Sequence, residues 1–225
     1  TLNEMLGRLE NALERERRFV ADASHELRTP LALLRAELDL ALRRPRSRGE
    51  LEAAVRSAAE ETERLSRLAE DLLLIARADQ GSVPLRLETV DVSLLLENVR
   101  RRFAVRAQEL GRGLAVTATV GLAVEADPLR LEQALGNLVD NALVYGAGCV
   151  TLSAVGTGDT IELHVADEGN GFPPSFADRA FDRFSRADEA RNAPGTGLGL
   201  AIVALVARAH GGDAIAGGGA GGADV

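Results

Sequence analysis

Three residues near the start of the chain, His25, Glu26 and Thr29, have the types and spacing to do chemistry together. Ala23 and Leu27 lie on the apolar stripe of a helical pattern, so His25, two positions from each, projects about 200° away onto the solvent face. A surface histidine of no consequence is the ordinary reading of that residue alone. Its neighbours add to it. A carboxylate at Glu26 can hold one ring N–H and leave the other imidazole nitrogen nucleophilic. Thr29, at i+4, shares the face of His25, where its hydroxyl could position a water. Pro30 falls inside the same helical run, where a proline removes a backbone hydrogen bond and costs about 3 kcal/mol unless something compensates.

Three further clusters lie between apolar runs in the second half. Asn137 and Asn141 share one helix face at i and i+4. Their side-chain oxygens are hard ligands suited to Mg²⁺, which keeps waters and also binds substrate phosphates; a packing or capping amide is the other reading of Asn137. Asp167-Glu168-Gly169-Asn170-Gly171 follows an apolar strand. A carboxylate there, with Gly169 and Gly171 letting backbone approach a ligand, suits reading the amino group of a base. A tight turn explains the same pattern equally well. Gly195-Thr196-Gly197-Leu198-Gly199-Leu200 opens a helical run, and glycine-rich backbone at a helix start makes an anion site. The glycine spacing is not that of a dinucleotide fingerprint, and a loop rather than a strand precedes it.

The 26 basic residues are all arginine. That removes the lysine on which a P-loop depends, and the strand lysine of the Ser/Thr/Tyr protein kinases. The net charge of -8 argues against a nucleic-acid surface. Cys149, the single cysteine, has no internal disulfide partner, and no run approaches the ~20 apolar residues of a membrane helix.

These residues need a scaffold, and the hydrophobic pattern predicts one in two parts. Leu2, Leu6, Leu9 and Leu13, resumed at Val20, Ala23, Leu27, Leu31, Leu34, Leu38 and Leu42, stripe one long helix. A turn over 43–49 follows. Leu51, Val55, Ala58, Thr62, Leu65, Ala69, Leu72 and Ala76 then make a heptad seam. Two such helices form an antiparallel hairpin whose leftover apolar stripe a second copy would cover, so a homodimeric four-helix bundle is expected. Beyond a linker near Gln80–Pro84, strand-like runs (85–90, 114–120, 150–155 and 161–165) alternate with helical ones (92–110, 128–144 and 198–209), which predicts an α+β layered domain. The glycine-rich tail from Gly217 is expected to fray. His164 is expected outward on a strand, and His210 at a helix end. Phe181 and Phe184 are read either as core or as the anchor of a lid over 185–194.

Together these segments closely resemble the sensor histidine kinases of two-component systems. The run from Phe19 to Leu31 matches the family's H-box; Asn137–Ala142 looks like its N-box, Asp167–Gly171 its G1 box, Phe181–Phe184 its F-box and Gly195–Leu200 its G2 box. The resemblance implies an all-α helical hairpin forming a dimeric four-helix bundle, followed by an α+β two-layer sandwich of the Bergerat (GHKL) ATP-binding kind. It implies a signal-transmitting helix over 1–18 at the exit of a HAMP-like linker, a dimerisation and phosphotransfer domain over 19–80, a linker at 81–84 and a catalytic domain over 85–225. It also implies roles. His25 takes the phosphoryl group, Glu26 is its general base, and Thr29 supports dephosphorylation of a response regulator. Asn141 holds Mg²⁺ with Asn137 nearby, Asp167 binds the adenine amino group, and Tyr145 packs by the base. Gly169, Gly171, Gly195, Thr196, Gly197, Leu198 and Gly199 shape the ATP pocket and its lid. The implied activity is ATP-dependent autophosphorylation with transfer to a regulator aspartate, in a parent protein anchored in a bacterial inner membrane; the alternative is a dimeric ATP-binding scaffold with little kinase activity. Where many relatives carry a basic residue three positions after the metal asparagine, this chain has Val144, so Arg183, Arg186 or Arg191 is expected to supply positive charge to the phosphates.

Overall fold

The computed structural model describes residues 2–43, 47–81, 83–119, 121–187, 195–219 and 222–225. The chain divides into two compact units, Thr1–Ala76 and Arg77–Val225.

The first unit is the expected hairpin. Helix α1 (Leu2–Arg43) runs unbroken through Pro30, and α2 (Arg48–Asp79) follows the turn, of which Arg44, Pro45 and Arg46 lie outside the described residues. A capping box starts α2. The Glu50 backbone N–H donates to the Ser47 hydroxyl at 3.4 Å, and the Ser47 N–H donates back to Glu50 Oε2 at 2.8 Å. Serine followed three residues later by glutamate thus satisfies two donors that a helix start would otherwise orphan. The Ser57 hydroxyl on α2 donates to Glu37 Oε2 on α1 at 3.0 Å. One chain leaves much of its apolar stripe wet. Val20, Leu31, Leu38, Leu51 and Val55 are exposed, and Leu42 is 85% exposed.

The second unit is a layered sandwich. Its elements run β1 (Glu88–Asp91), α3 (Val92–Glu109), β2 (Leu114–Ala118), β3 (Ala123–Ala126), α4 (Pro128–Tyr145), β4 (Val150–Thr157), β5 (Thr160–Ala166), α5 (Pro174–Ala177), α6 (Gly199–Ala209), β6 (Gly217–Gly219) and β7 (Gly222–Asp224). Five strands form a sheet in the order β2-β4-β5-β7-β6, with β2 parallel to β4 and the other pairs antiparallel; β1 and β3 make a separate ribbon. Along β4 burial alternates, with Val150, Leu152 and Ala154 inward. That period of two is what lets one face of the sheet carry a core. Helices α3 and α4 pack on the sheet and α6 packs on α4, enclosing Val92, Leu96, Val139, Val150, Leu152, Leu198 and Ile202.

Three local expectations differ from the structure. The 85–90 run is strand only over β1, because the Arg86 backbone N–H is drawn instead to Asp127 Oδ2 at 2.9 Å. Strand β3, short and half-exposed in pattern, gave no hydrophobic alternation strong enough to see. The glycine tail does not fray over its described residues. It folds back as β6 and β7, and the Ala223 carbonyl accepts the Asp167 N–H at 3.0 Å. Glycine is what permits this: at Gly222 (φ +120°) an added Cβ would lie 1.7 Å from the Asp167 carbonyl oxygen. The composition that argued against a strand is the condition for a very close one.

Candidate functional site

On the hairpin, α1 carries His25 and Thr29 on its exposed face, while Ala23, Glu26 and Leu27 are half-buried. His25 and Thr29 thus lie on the exposed side, as the helical phase of the apolar stripe led one to expect. The Thr29 hydroxyl points back along the helix to the His25 carbonyl at 3.5 Å, the local bond a threonine makes to the preceding turn. Ser24 makes the same kind of bond to the Val20 carbonyl at 2.7 Å.

In the sandwich, Asp127 starts α4 by accepting the Arg130 N–H at 3.2 Å. Burial pushes the Asp127 carboxyl up, but backbone N–H groups of Arg86, Arg130 and Leu129 and the Arg130 charge outweigh it and hold the group below the usual carboxylate range. His210, at the end of α6, clamps the same corner. Its Nδ1 donates to the Val206 carbonyl at 2.8 Å and its Nε2 accepts the Asp127 N–H at 3.0 Å, a pair of roles that requires the neutral ring. That histidine ties two helix ends together; the helix-end placement was legible, its long-range partner was not.

The three sequence clusters converge around α4. Asn137 and Asn141 are half-buried on one face, and Asn137 Nδ2 donates to the Gly199 carbonyl at 3.2 Å. A Cβ on Gly199 would lie 3.7 Å from the Asn137 side chain and 3.8 Å from Asn141 Nδ2, so the glycine turn sits directly over both amides. Asp140, between them in sequence, pairs with Arg106 of α3. At the end of α4, Tyr145 is 46% exposed, and its hydroxyl would lie 2.9 Å from a Cβ on Gly195. The Thr196 hydroxyl accepts the Leu198 N–H at 3.4 Å, shaping the entry to α6, and Leu198 itself is fully buried. Gly197 (φ +70°) presses on the backbone of Phe184, the one non-glycine residue at positive φ (+58°) among those described. Ser185, next in chain, also lies against Gly197, and half-buried Arg186 follows it.

Asp167, 9% exposed, stands where β5 ends. Its Oδ1 accepts the Gly169 N–H at 2.7 Å. A Cβ on Gly146 would come within 2.3 Å of its carboxyl carbon, and one on Gly169 within 2.7 Å of Oδ1. Among the described residues nothing donates to Oδ2, so this buried carboxylate keeps one acceptor for a ligand. Gly171 takes φ +71° just beyond. Arg183 is engaged elsewhere: its Nη1 donates to Asp79 Oδ2 at 2.6 Å and Nη2 to Oδ1 at 2.5 Å. Arg191 lies outside the described residues, as does most of the expected lid.

His164 is half-buried rather than free on its strand. Its Nδ1 lies 3.2 Å from Asp224 of β7 and its Nε2 3.5 Å from Glu162.

Comparison with known proteins bears on both units. Residues 15–81 match the His Kinase A (phospho-acceptor) domain, and residues 126–223 match the histidine kinase-, DNA gyrase B- and HSP90-like ATPase family. The probable sensor histidine kinase HK of Mycobacterium tuberculosis is 41% identical over 195 residues, which are 87% of this chain and 48% of that protein. Among solved structures, Acinetobacter baumannii histidine kinase AdeS superposes with a TM-score of 0.70 at 26% identity, covering 89% of this chain and 94% of that one. Full-length ShkA in complex with AMPPNP does so with a TM-score of 0.69 at 30% identity, covering 92% of this chain and 44% of that one. The chain spans about half the length of the curated relatives it matches. With both domain signatures in order and such relatives aligned along most of its length, the chain belongs to the sensor histidine kinases of bacterial two-component systems.

Proposed function

We propose that this chain is the kinase core of a longer sensor protein, that it phosphorylates His25 from ATP, and that it passes the phosphoryl group to an aspartate of a response regulator. The observation that carries the reading is the pairing of a solvent-facing His25 on α1 with a second unit whose Asn137, Asn141, Asp167 and glycine turns converge on α4. The domain limits proposed are a signal helix over 1–18, the phosphotransfer hairpin over 19–80, a linker at 81–84 and the ATP-binding domain over 85–225.

Phosphoryl transfer leaves the protein mainly alignment and charge to supply. The imidazole nitrogen of His25 attacks the γ-phosphorus, the bond from that phosphorus to the β,γ-bridging oxygen breaks, and ADP leaves. Glu26 holds the ring proton and takes it as the phosphoramidate forms. Asp167 Oδ2 accepts the adenine amino group, Tyr145 packs beside the base, and Gly169 and Gly171 give the ring room. Gly195, Thr196, Gly197, Leu198 and Gly199 set the turn beside the phosphates, and Arg186 adds positive charge there. Among the described residues no cluster of three or more His, Cys, Asp or Glu could hold a metal. A Mg²⁺ ion would take its protein ligand from Asn141, with Asn137 nearby, and the rest from phosphates and water; it would neutralise developing phosphate charge. The AMPPNP held by ShkA supports an ATP-type ligand.

The wet apolar stripe of Val20, Leu31, Leu38, Leu42, Leu51 and Val55 supports a homodimer closing a four-helix bundle. Among the described residues no helix is long and apolar enough to cross a membrane; membrane anchoring is proposed for the parent protein, as in the implied family architecture. Thr29→Ala is expected to spare autophosphorylation and weaken phosphatase activity toward the regulator, and equal loss of both would refute the divided roles. The reading as a whole is tested with γ-labelled ATP and Mg²⁺. Protein-bound label should be acid-labile and alkali-stable, as a phosphoramidate is; nucleotide binding without label would leave an ATP-binding scaffold.

A further inference from the structure

Arg112 is not part of any of the boxes, yet it reaches further into the nucleotide unit than its position suggests. Helix α3 ends with Gly111 at φ +65°, and the Arg112 N–H donates back to the Ala107 carbonyl at 2.8 Å. That left-handed closure fixes where the arginine leaves the backbone. The next residue, Gly113, accepts the Val150 N–H at 2.9 Å, so the turn is also locked to the start of β4.

From there the guanidinium forks across the end of α4. Nη1 donates to the carbonyls of Leu143 at 3.3 Å and Gly146 at 3.0 Å, and Nε donates to the Gly148 carbonyl at 2.6 Å. Helix C-terminal carbonyls lack intrahelical partners and carry partial negative charge, so a cation with several donors in one plane suits them. What Arg112 grips is the wall against which Asp167 rests. Gly146 lies flush on the Asp167 carboxyl, the Ala147 carbonyl accepts the Glu168 N–H at 2.9 Å, and the Cys149 N–H donates to Glu168 Oε2 at 3.1 Å. Residues 146–149 thus hold the Asp167-Glu168 turn from one side, and Arg112 holds 146–148 from the other.

We infer that Arg112 is a positioning residue for adenine recognition, setting the Asp167 carboxylate at the depth needed to accept the base's amino group. It touches no nucleotide and acts through the 146–148 turn. This rests on the proposal that Asp167 reads adenine.

The consequence is base-specific. Loosening the turn should weaken the contact to the 6-amino group and leave the contacts to phosphates and ribose in place. The test measures binding of ATP and of inosine triphosphate, which lacks that amino group, to the wild type, Arg112→Gln, Arg112→Lys and Asp167→Asn, with a thermal midpoint for each. Arg112→Gln is expected to lower the ATP preference by roughly tenfold, the scale of one lost recognition hydrogen bond, while affinity for inosine triphosphate stays near wild type. Arg112→Lys, which keeps the charge but cannot fork to three carbonyls, should fall between. Asp167→Asn should abolish the preference. If Asp167→Asn abolishes it and Arg112→Gln does not, Arg112 has no positioning role. Equal loss of both nucleotides in Arg112→Gln, or in Arg112→Lys should the glutamine variant unfold, would make it a structural clamp only. If Asp167→Asn keeps the preference, the reading of Asp167 falls and the role of Arg112 with it.

Discussion

The hairpin and the sandwich carry their chemistry in opposite ways, and their glycines show it. Gly7 in α1 and Gly49 in α2 would meet nothing within 4 Å if each gained a Cβ. In the sandwich, Gly146, Gly148, Gly169, Gly197 and Gly222 would each drive a Cβ to within 3 Å of another group, and three of those contacts are with Asp167. The hairpin presents one imidazole on an open helix, where position along the sequence is nearly all that matters. The sandwich assembles a site from segments far apart in the chain, where tenths of an ångström decide whether the carboxylate and the turns fit. A helix with an open face tolerates change; a built pocket does not.

Gly222→Ala should break the sandwich most severely. Its Cβ would overlap the Asp167 carbonyl at a backbone angle L-residues avoid, so a loss of about 3 kcal/mol or more is expected by chemical denaturation. Gly146→Ala pushes on the Asp167 carboxyl and the Ala142 carbonyl together, and ATP affinity should fall by about tenfold or more in titration calorimetry. Asp127→Ala removes the α4 cap and should cost about 1–2 kcal/mol. That cost should depend on pH with a definite sign. Because the folded-state pKa of Asp127 is lowered, its contribution is present above the unfolded value, about 3.9, and is lost as pH falls through the folded value. Denaturation of wild type and Asp127→Asn should therefore converge below that window. The smallest effect belongs to the hairpin: Gly7→Ala should stabilise α1 by about 0.5–1 kcal/mol. A Gly7→Ala loss as large as that of Gly146→Ala would erase the contrast between the two units.

What could be read from the sequence follows the same division. The exposure of His25 and Thr29 came from a phase count along α1, because helical geometry is local and one stripe fixes every other face. Helices α3, α4 and α6 were legible for the same reason, as was the placement of His210 at the end of α6, whereas the Asp127 cap that starts α4 emerged only from the structure. The clusters at Asn137, Asp167 and Gly195 could be named from their residues, but their convergence was expected only through the family resemblance, since it depends on β5 and α6 returning to α4. His210 and Arg112 escaped altogether as partners of Asp127 and of the 146–148 turn, because those contacts span 83 and 34–36 residues. Strand β7 was misjudged because glycine content lowers strand propensity, while the tight approach to Asp167 requires glycine. Arg183 was expected among the phosphate ligands, and its bidentate pairing with Asp79 offers a different use for its charge.

The central claim is that ATP held by the second unit delivers its phosphoryl group to one ring on the first. It is tested most directly by incubating wild type and His25→Gln with γ-labelled ATP and Mg²⁺ while measuring nucleotide affinity of both by titration. The account predicts label on wild type alone and the same affinity in each. Label retained on His25→Gln protein would contradict it.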